Sequence, residues 1–294
     1  MLKLAAGDYE LTVAPAIGGS IRSFTWRGEA LMRTAQGSSV LDAACFPLVP
    51  FSNRIAHGRF EWMGREVQLK PNFPGTDHPH PLHGFGWISE WDIIEAECDY
   101  ALLEHRYPGG DWPWPYIARQ SIRLGKKGLV LELSLTNLGE GNMPAGLGFH
   151  PYFPRDEQTQ LHALHTGEWL NDADGLPVEL RERNEPIDWW EEQPVSERTV
   201  DTVYCGRSGD IRVSWPSRGI ALSIACDPSL SCTSVFVPEL ADWFCVEPVS
   251  HATNAVNSTA DNLGMVAIGP NESMICLVEM CASRARYPHA SCRG

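Results

Sequence analysis

The chain has 294 residues, 43% of them hydrophobic, and a formal net charge of −14 at pH 7. This length and composition can bury a substantial core without disulfide or metal staples. The negative charge disfavours nucleic acid and anionic membrane surfaces as partners, and it suits a neutral small-molecule ligand. No feature of the sequence identifies a protein partner.

Cysteine usage and hydropathy indicate the cellular compartment in which the protein is expected. The nine cysteines are odd in number, include no C-x-x-C pair and lie mostly in apolar runs. We therefore expect neither a disulfide framework nor a structural zinc site. The first residues, MLKLAAGDYELTV, carry acidic residues before any long apolar stretch, which argues against a secretory signal. No window reaches about eighteen uninterrupted apolar residues, so no membrane span is expected. Together these features predict a cytoplasmic protein.

Short runs of alternating apolar and polar residues, separated by turn residues, dominate the chain. Such period-two runs predict β-strands. In chain order they predict hairpins over residues 59–69, 121–138 and 211–226, followed by a strong strand over residues 274–282. In the second hairpin every other residue from Leu129 to Leu135 is leucine, which predicts a buried face.

Residues 178–194 interrupt this pattern. Their composition is helix-like, but Pro186 breaks the run, so we expect either a helix or an irregular surface segment. No Gly-rich phosphate loop, βαβ rhythm or fixed repeat is present in the sequence. The sequence therefore predicts an all-β fold, a large antiparallel sandwich or barrel with few short helices. Because no composition shift marks a boundary, we expect one domain over residues 1–294.

Three histidines, His78, His80 and His83, cluster in the segment DHPHPLHGFGW. A cupin-type metal site also begins with H-x-H on an antiparallel sheet, but it needs a carboxylate a few residues later. Here the next carboxylate is Glu90. The intervening prolines turn the backbone towards polyproline geometry, in which His78 and His80 point to different sides. His80 and His83 alone make an incomplete ligand set, so we predict no metal in this segment.

Three other segments place a titratable residue among apolar or rigid neighbours. They are FPLVPFSNRIAHGRF with Arg54, LGFHPYFPR with His150 and DWFCVEPVSHATNAVN with Glu247. A carboxylate in an apolar setting holds its proton more tightly and is a candidate acid or base. Each residue also has a structural interpretation: an ion-pair partner, a satisfied core histidine and an outward strand residue, respectively. Together they suit acid–base chemistry on an uncharged polar ligand.

Four segments also resemble those of a known family, the aldose 1-epimerases or galactose mutarotases. FSNRIAHGRF resembles the N-R-I-x-x-G-x-F segment of that family, PLHGFGW its Leu-His-Gly segment, FHPYF its His-x-Tyr-Phe segment, and FCVEPVSHATNAVN its E-P strand ending in A-x-N. They occur in the family's order between residues 50 and 257. The resemblance implies an antiparallel β-supersandwich and an enzyme that interconverts the α and β anomers of free aldoses.

The matching positions imply roles for individual residues. Glu247 would be the base, in its ionised form, and His150 the acid, in its protonated form. His83 and Arg54 would contact the sugar. Asp201, in the run TVDTVYCG, resembles the aspartate of the family that accepts hydrogen bonds from ring hydroxyls. No cofactor or metal is implied, because ring opening and closure need only proton transfer.

The resemblance leaves the shape of the sugar pocket open. Phe236 is a candidate aromatic wall against the apolar face of the sugar, with core packing as its alternative role. His78 and His80 are expected at the pocket rim. The chain departs from the fullest galactose-type pattern at Phe149 and at Gly84-Phe85, so glucose and galactose are default substrates only. A non-catalytic sugar-binding or sensor protein on the same fold is the alternative function.

Overall fold

The computed structural model describes residues 1–76, 78–191, 193–258 and 264–285. Within these ranges the chain forms β-strands joined by turns and by 3₁₀ helices of three residues each. None of these helices is long and apolar enough to cross a membrane. The 3₁₀ helices span Val40–Asp42, Ala56–Gly58, Gly86–Ile88, Val195–Glu197, Pro216–Arg218 and Ala255–Asn257. The strands are β1 Leu2–Ala6, β2 Tyr9–Ala14, β3 Ser20–Trp26, β4 Glu29–Ala30, β5 Pro47–Leu48, β6 Arg59–Trp62, β7 Arg65–Gln68, β8 Asp92–Ala96, β9 Tyr100–Tyr107, β10 Tyr116–Gly125, β11 Gly128–Asn137, β12 Met143–Ala145, β13 Gly148–Phe149, β14 Tyr152–Pro154, β15 Gln160–Asn171, β16 Pro177–Asp188, β17 Val200–Trp215, β18 Ile220–Cys226, β19 Cys232–Val237, β20 Trp243–Val249, β21 Val266–Ile268 and β22 Ser273–Arg284.

Most of the strands belong to one large antiparallel sheet. Its order is β5-β13-β20-β19-β17-β18-β22-β11-β10-β9-β8, with β14 paired to β20, β15 to β17 and β16 to β15. A four-stranded sheet of order β1-β2-β3-β4 contacts it through β10. The pairs β6–β7 and β12–β21 form separate ribbons. The all-β antiparallel architecture predicted from the alternating runs is thus confirmed.

The predicted hairpins are present as β6–β7, β10–β11 and β17–β18, and the predicted last strand is β22. In β11 the alternate leucines from Leu129 to Leu135 are at most 1% exposed. Burying such a side chain stabilises the fold by about 1.5–3 kcal/mol relative to leaving it in water. The period-two pattern therefore places this face of β11 in the core.

The interpretation of residues 178–194 as a helix or an irregular segment is wrong for most of its length. Residues 177–188 form β16, which pairs with β15 at a free edge of the large sheet. An edge strand tolerates charged side chains on both faces, because both remain in water. Pro186 falls where the β15–β16 register is interrupted, so its missing N–H costs no ladder hydrogen bond. Helix-like composition was misleading because tertiary pairing decided the outcome.

A small core cluster connects the parts of the chain that carry the candidate site. In this cluster Phe46 lies just before β5, Tyr152 lies on β14, and Cys232 and Cys245 lie on β19 and β20. Trp87 comes from the histidine-rich loop, residues 78–87, which carries His78, His80 and His83. These segments are far apart in sequence. Their shared burial brings the loops that follow β5 and β13 onto the face of β20.

Candidate active site

A cavity of about 400 Å³ lies over β19 and β20, and it brings together all six site residues predicted from the sequence. Small-molecule sites in proteins have volumes of roughly 300–1,000 Å³. Its lining consists of Leu41, Phe46, Asn53, Arg54, Phe73, His78, Leu82, His83, Trp87, His150, Tyr152, Asp201, Ser234, Phe236, Trp243 and Glu247.

Glu247 and His150 form a buried pair in the wall of this cavity. Glu247 lies on β20, directly opposite Ser234 of β19, and His150 directly follows β13. His150 Nε2 is 3.4 Å from Glu247 Oε1, and the two side chains are 8% and 3% exposed. Glu247 Oε2 and His150 Nδ1 are buried without a hydrogen-bond partner among the described residues. The pair therefore has unused hydrogen-bonding capacity.

Burial moves the pKa values of this pair in opposite directions. It raises the pKa of Glu247 well above its ordinary value, and the negative charge of Asp201 adds to this effect. A hydrogen bond from Ser234 and the positive charge of Arg54 act in the other direction. Burial lowers the pKa of His150 to about 3. Burial thus favours the neutral carboxyl and the neutral imidazole over the expected ionised carboxylate with a protonated imidazole, because both charged forms lose their hydration.

The His150 ring is held between two aromatic rings. Its centroid lies 4.5 Å from that of Phe46 and 4.6 Å from that of Tyr152, and both pairs are stacked. The guanidinium of Arg33 covers Tyr152 at 3.5 Å and donates to Ala43 O at 2.8 Å. This stack fixes the imidazole plane, so His150 Nε2 keeps its direction towards Glu247.

His83 occupies an unusual backbone conformation next to this pair. Its φ is +59°, in the left-handed region, and Gly84 follows with φ +72°. A Cβ on Gly84 would lie 2.1 Å from Val49 O, so only glycine allows this close approach. The backbone N–H of Asn53 donates to His83 Nδ1 at 3.1 Å. Burial lowers the pKa of His83 well below its ordinary value, so its neutral form carries the proton on Nε2 and can donate from there.

Arg54 is fixed by contacts from three separate parts of the chain. Its Nη2 donates to Asp201 Oδ2 at 2.9 Å, and its Nη1 donates to Asn53 Oδ1 at 3.2 Å. Gly175, in the β15–β16 turn, packs against the guanidinium so closely that a Cβ there would lie 2.8 Å from Arg54 Cζ. Asp201 lies on β17. These contacts orient the guanidinium between the cavity and the turn.

Phe236 and Trp243 form an apolar part of the cavity wall. Phe236 lies on β19 with its ring 5.9 Å from that of Trp243 on β20, and Trp243 meets Tyr152 edge-on at 5.0 Å. Phe236 is partly exposed, so it lines the cavity and is not only a core residue. Trp243 was missed in the sequence. Strand alternation could have found it, because positions 243, 245 and 247 share one face of β20.

The other two histidines of the cluster take different positions. His78 lines the cavity, as expected for a rim residue. His80 does not: it is 1% exposed and lines a neighbouring cavity instead. The rim position expected for His80 is therefore wrong. The physical reason is that the backbone N–H of His57 donates to His80 Nδ1 at 3.0 Å, which draws the ring inward.

One group of potential metal ligands with close spacing occurs among the described residues. Ligand atoms of His150, Cys245 and Glu247 lie within 4.8 Å of one another, and all three residues are buried. Burial raises the pKa of Cys245 and of Glu247, which favours the protonated form of both acidic donors. A cation would have to displace both protons, which does not favour this group as a metal site.

Solved structures define the class of fold. A crystal structure of an Escherichia coli K12 protein, provisionally described as an aldose 1-epimerase, aligns with a TM-score of 0.86 at 32% identity, covering 96% of this chain and 98% of that chain. A galactose mutarotase-like protein from Clostridium acetobutylicum aligns with a TM-score of 0.83 at 19% identity, covering 96% and 94% of the two chains. The β-supersandwich implied by the resemblance is therefore confirmed as a galactose mutarotase-like fold.

Sequence comparisons define the family. Residues 1–274 match the family model described as aldose 1-epimerase. The uncharacterised protein YphB of Escherichia coli (strain K12) is 35% identical over 280 residues, which cover 92% of this chain and 94% of YphB. The chain belongs to the aldose 1-epimerase family.

Proposed function

We propose that the protein is an aldose 1-epimerase, which interconverts the α and β anomers of a free aldose. The observation that supports this most strongly is the Glu247–His150 pair, 3.4 Å apart in the wall of the sugar-sized cavity. An acid and a base held side by side can move protons at two neighbouring atoms of one bound molecule. The C1 hydroxyl and the ring oxygen of a pyranose are such a pair of atoms.

The proposed reaction is a balanced proton exchange. Glu247 removes the proton from the C1 hydroxyl while His150 delivers one to the ring oxygen. The C1–O5 bond breaks and a carbonyl forms at C1. Rotation about the C1–C2 bond exposes the other face, and the reverse transfers reclose the ring. No electrons leave the sugar and no group is lost, so the side chains are restored after each turnover.

This sequence requires the pair to hold one proton in total. Burial favours the neutral form of both side chains, in which they hold that one proton on Glu247. Hydrogen bonds from sugar hydroxyls favour the ionised carboxylate, and the charge of Arg54 acts in the same direction. We therefore propose that a bound sugar favours transfer of this proton to His150, the arrangement in which Glu247 acts as the base and His150 as the acid.

Two further hydrogen-bond donors can stabilise the negative charge that develops on sugar oxygens during the reaction. Neutral His83 has its Nε2–H available, because Nδ1 accepts from the backbone of Asn53. Arg54 is already oriented by Asp201 and Asn53. Donors fixed before the reaction stabilise charge on sugar oxygens without reorganising, and removing one such donor typically costs about 10²–10³ in rate. The apolar wall of Phe236 and Trp243 suits the C–H face of a pyranose.

The cavity lining favours a neutral sugar. Arg54 is the single Lys or Arg among its lining residues, and Asp201 already neutralises it. A sugar phosphate would bring negative charge to a site without an unpaired cation. The expected substrates are accordingly free aldoses, with glucose and galactose as first probes.

Polarimetry tests the proposal. Freshly dissolved α-D-glucose and α-D-galactose are followed at pH 7 with and without the protein, and we expect the approach to equilibrium to accelerate in proportion to protein concentration. If titration shows that these sugars bind but neither rate changes, the non-catalytic binding protein replaces the enzyme. If a wider set of free aldoses neither binds nor reacts, both functions are wrong.

A further inference from the structure

A second cavity of about 410 Å³ adjoins the first on the side of Arg54. The two cavities share Arg54, His78 and Asp201 in their walls. The rest of the second lining comes from the histidine-rich loop and from the β15–β16 turn. Those residues are Pro79, His80, Asn171, Asp172, Ala173, Asp174 and Gly175. The reaction proposed above uses none of them.

Two buried polar atoms of this lining have no hydrogen-bond partner among the described residues: His80 Nε2 and Asn171 Oδ1. His80 Nδ1 accepts from the backbone of His57, and burial lowers the pKa of His80. Its neutral ring therefore carries the proton on Nε2, which is a donor. Asn171 Nδ2 donates to Asp201 O at 2.6 Å, which leaves Oδ1 as an acceptor. Buried polar atoms are normally paired, so a donor and an acceptor left open here indicate a polar ligand.

The charges of the second cavity restrict the kind of ligand. Asp172, Asp174 and Asp201 face a single arginine, so the cavity carries excess negative charge. Asp172 Oδ1 already accepts from the backbone N–H groups of Asp174 and Leu176, so it shapes the turn. An anionic ligand is disfavoured. A neutral molecule with several hydroxyl groups can donate to the carboxylates and to Asn171 and can accept from His80.

We infer that the second cavity is a subsite for a second sugar ring, and that the substrate class is the reducing disaccharides. This inference rests on the proposed function, because it places the reacting ring in the first cavity. Glu247 and His150 hold C1 and the ring oxygen there. A glycosyl group on a hydroxyl of the ring that points towards Arg54 and Asp201 enters the second cavity. Arg54, His78 and Asp201 then lie between the two rings.

Equilibrium titration tests the subsite without depending on catalysis, because an equilibrated mixture of anomers keeps its composition. Trp87 and Trp243 line the first cavity, so their fluorescence reports binding there. The probes are glucose, galactose, maltose, isomaltose, cellobiose and lactose. We expect the wild type to bind at least one disaccharide at least about tenfold more tightly than glucose, which corresponds to one or two added hydrogen bonds.

Two variants change residues that line the second cavity and are absent from the lining of the first. Ala173→Trp fills the second cavity from the exposed turn. His80→Asn removes the Nε2–H donor, while its side-chain oxygen can still accept from the His57 backbone. Each variant should remove the preference for the disaccharide and leave glucose affinity within about twofold. Val178→Trp is the matched control, because Val178 is 63% exposed on the same hairpin and outside the cavity lining.

The outcomes separate this inference from the proposed function. Disaccharides that bind no better than glucose, or a preference that survives both variants, would overturn the subsite. An equal loss of glucose and disaccharide binding in both variants would do the same. Selective loss of disaccharide binding supports the subsite even if polarimetry detects no catalysis, in which case only the proposed function fails.

Discussion

Gly175→Ala tests how the β15–β16 turn positions Arg54. Gly175 has φ +75°, and a Cβ there would lie 2.8 Å from Arg54 Cζ, whereas ordinary contacts begin at 3.4 Å. The guanidinium would have to move by about 0.6 Å. A misplacement of about 1 Å at a catalytic group costs up to roughly 10²-fold in rate, so we expect kcat/KM for α-D-glucose to fall roughly tenfold or more. The left-handed φ adds a stability cost of about 1–2 kcal/mol.

Gly64→Ala is the matched control for this variant. Gly64 also lies in a hairpin turn, with φ +80°, but a Cβ there would meet nothing within 4 Å. The melting temperature, measured by differential scanning calorimetry, should fall by a similar amount in both variants. Only Gly175→Ala should lose mutarotation activity, measured by polarimetry. Equal activity in the two variants would refute the idea that this turn holds Arg54 in a catalytically useful position.

Three further predictions concern pH and the aromatic wall. Because burial lowers the pKa of His150 to about 3, its imidazole should not titrate between pH 5 and pH 7 in the free enzyme, and an NMR titration of His150 centred near its ordinary pKa of about 6.5 would contradict this. Burial also lowers the pKa of His165 to about 3, so on acidification the unfolded chain protonates this imidazole before the folded chain does, and the free energy of unfolding falls. Between pH 7 and pH 5 the free energy of unfolding of His165→Gln, measured with guanidinium, should therefore fall by about 2 kcal/mol less than that of the wild type. An equal fall in both proteins would argue against a buried neutral His165. Phe236→Ala should raise KM roughly tenfold with little change in kcat, since the wall binds substrate and transition state alike; a loss confined to kcat would assign Phe236 another role.

Strand periodicity was sufficient to predict the class of fold and its main hairpins. Alternation in β11 reports one buried face directly, because the side-chain period of a strand is two. The same reasoning failed at β16, where an exposed edge strand has charged side chains along its length. This strand forms because it pairs with β15, and the sequence of residues 177–188 alone does not show which strand lies beside it.

Some features of the candidate site could likewise be predicted from the sequence, and others could not. Motif resemblance predicted which six residues gather at the cavity, although Arg54 and Asp201 are 147 positions apart. It could not predict the direction in which the pKa values of Glu247 and His150 shift, because the burial of both side chains in the folded chain decides that. The inward turn of His80 depends similarly on a backbone N–H of His57, a contact across the loop that spacing alone does not reveal.

The Glu247→Gln variant tests the central proposal most directly. Its mutarotation rate is compared by polarimetry with those of the wild type and of Glu168→Gln. Glu168 is a buried carboxylate outside the cavity lining, paired with Tyr204 and Arg198, and it controls for the loss of a buried acid. We expect Glu247→Gln to lose at least about a hundredfold in rate while Glu168→Gln retains activity. A Glu247→Gln protein that is folded and within a few-fold of wild type would contradict the assignment of Glu247 as the base.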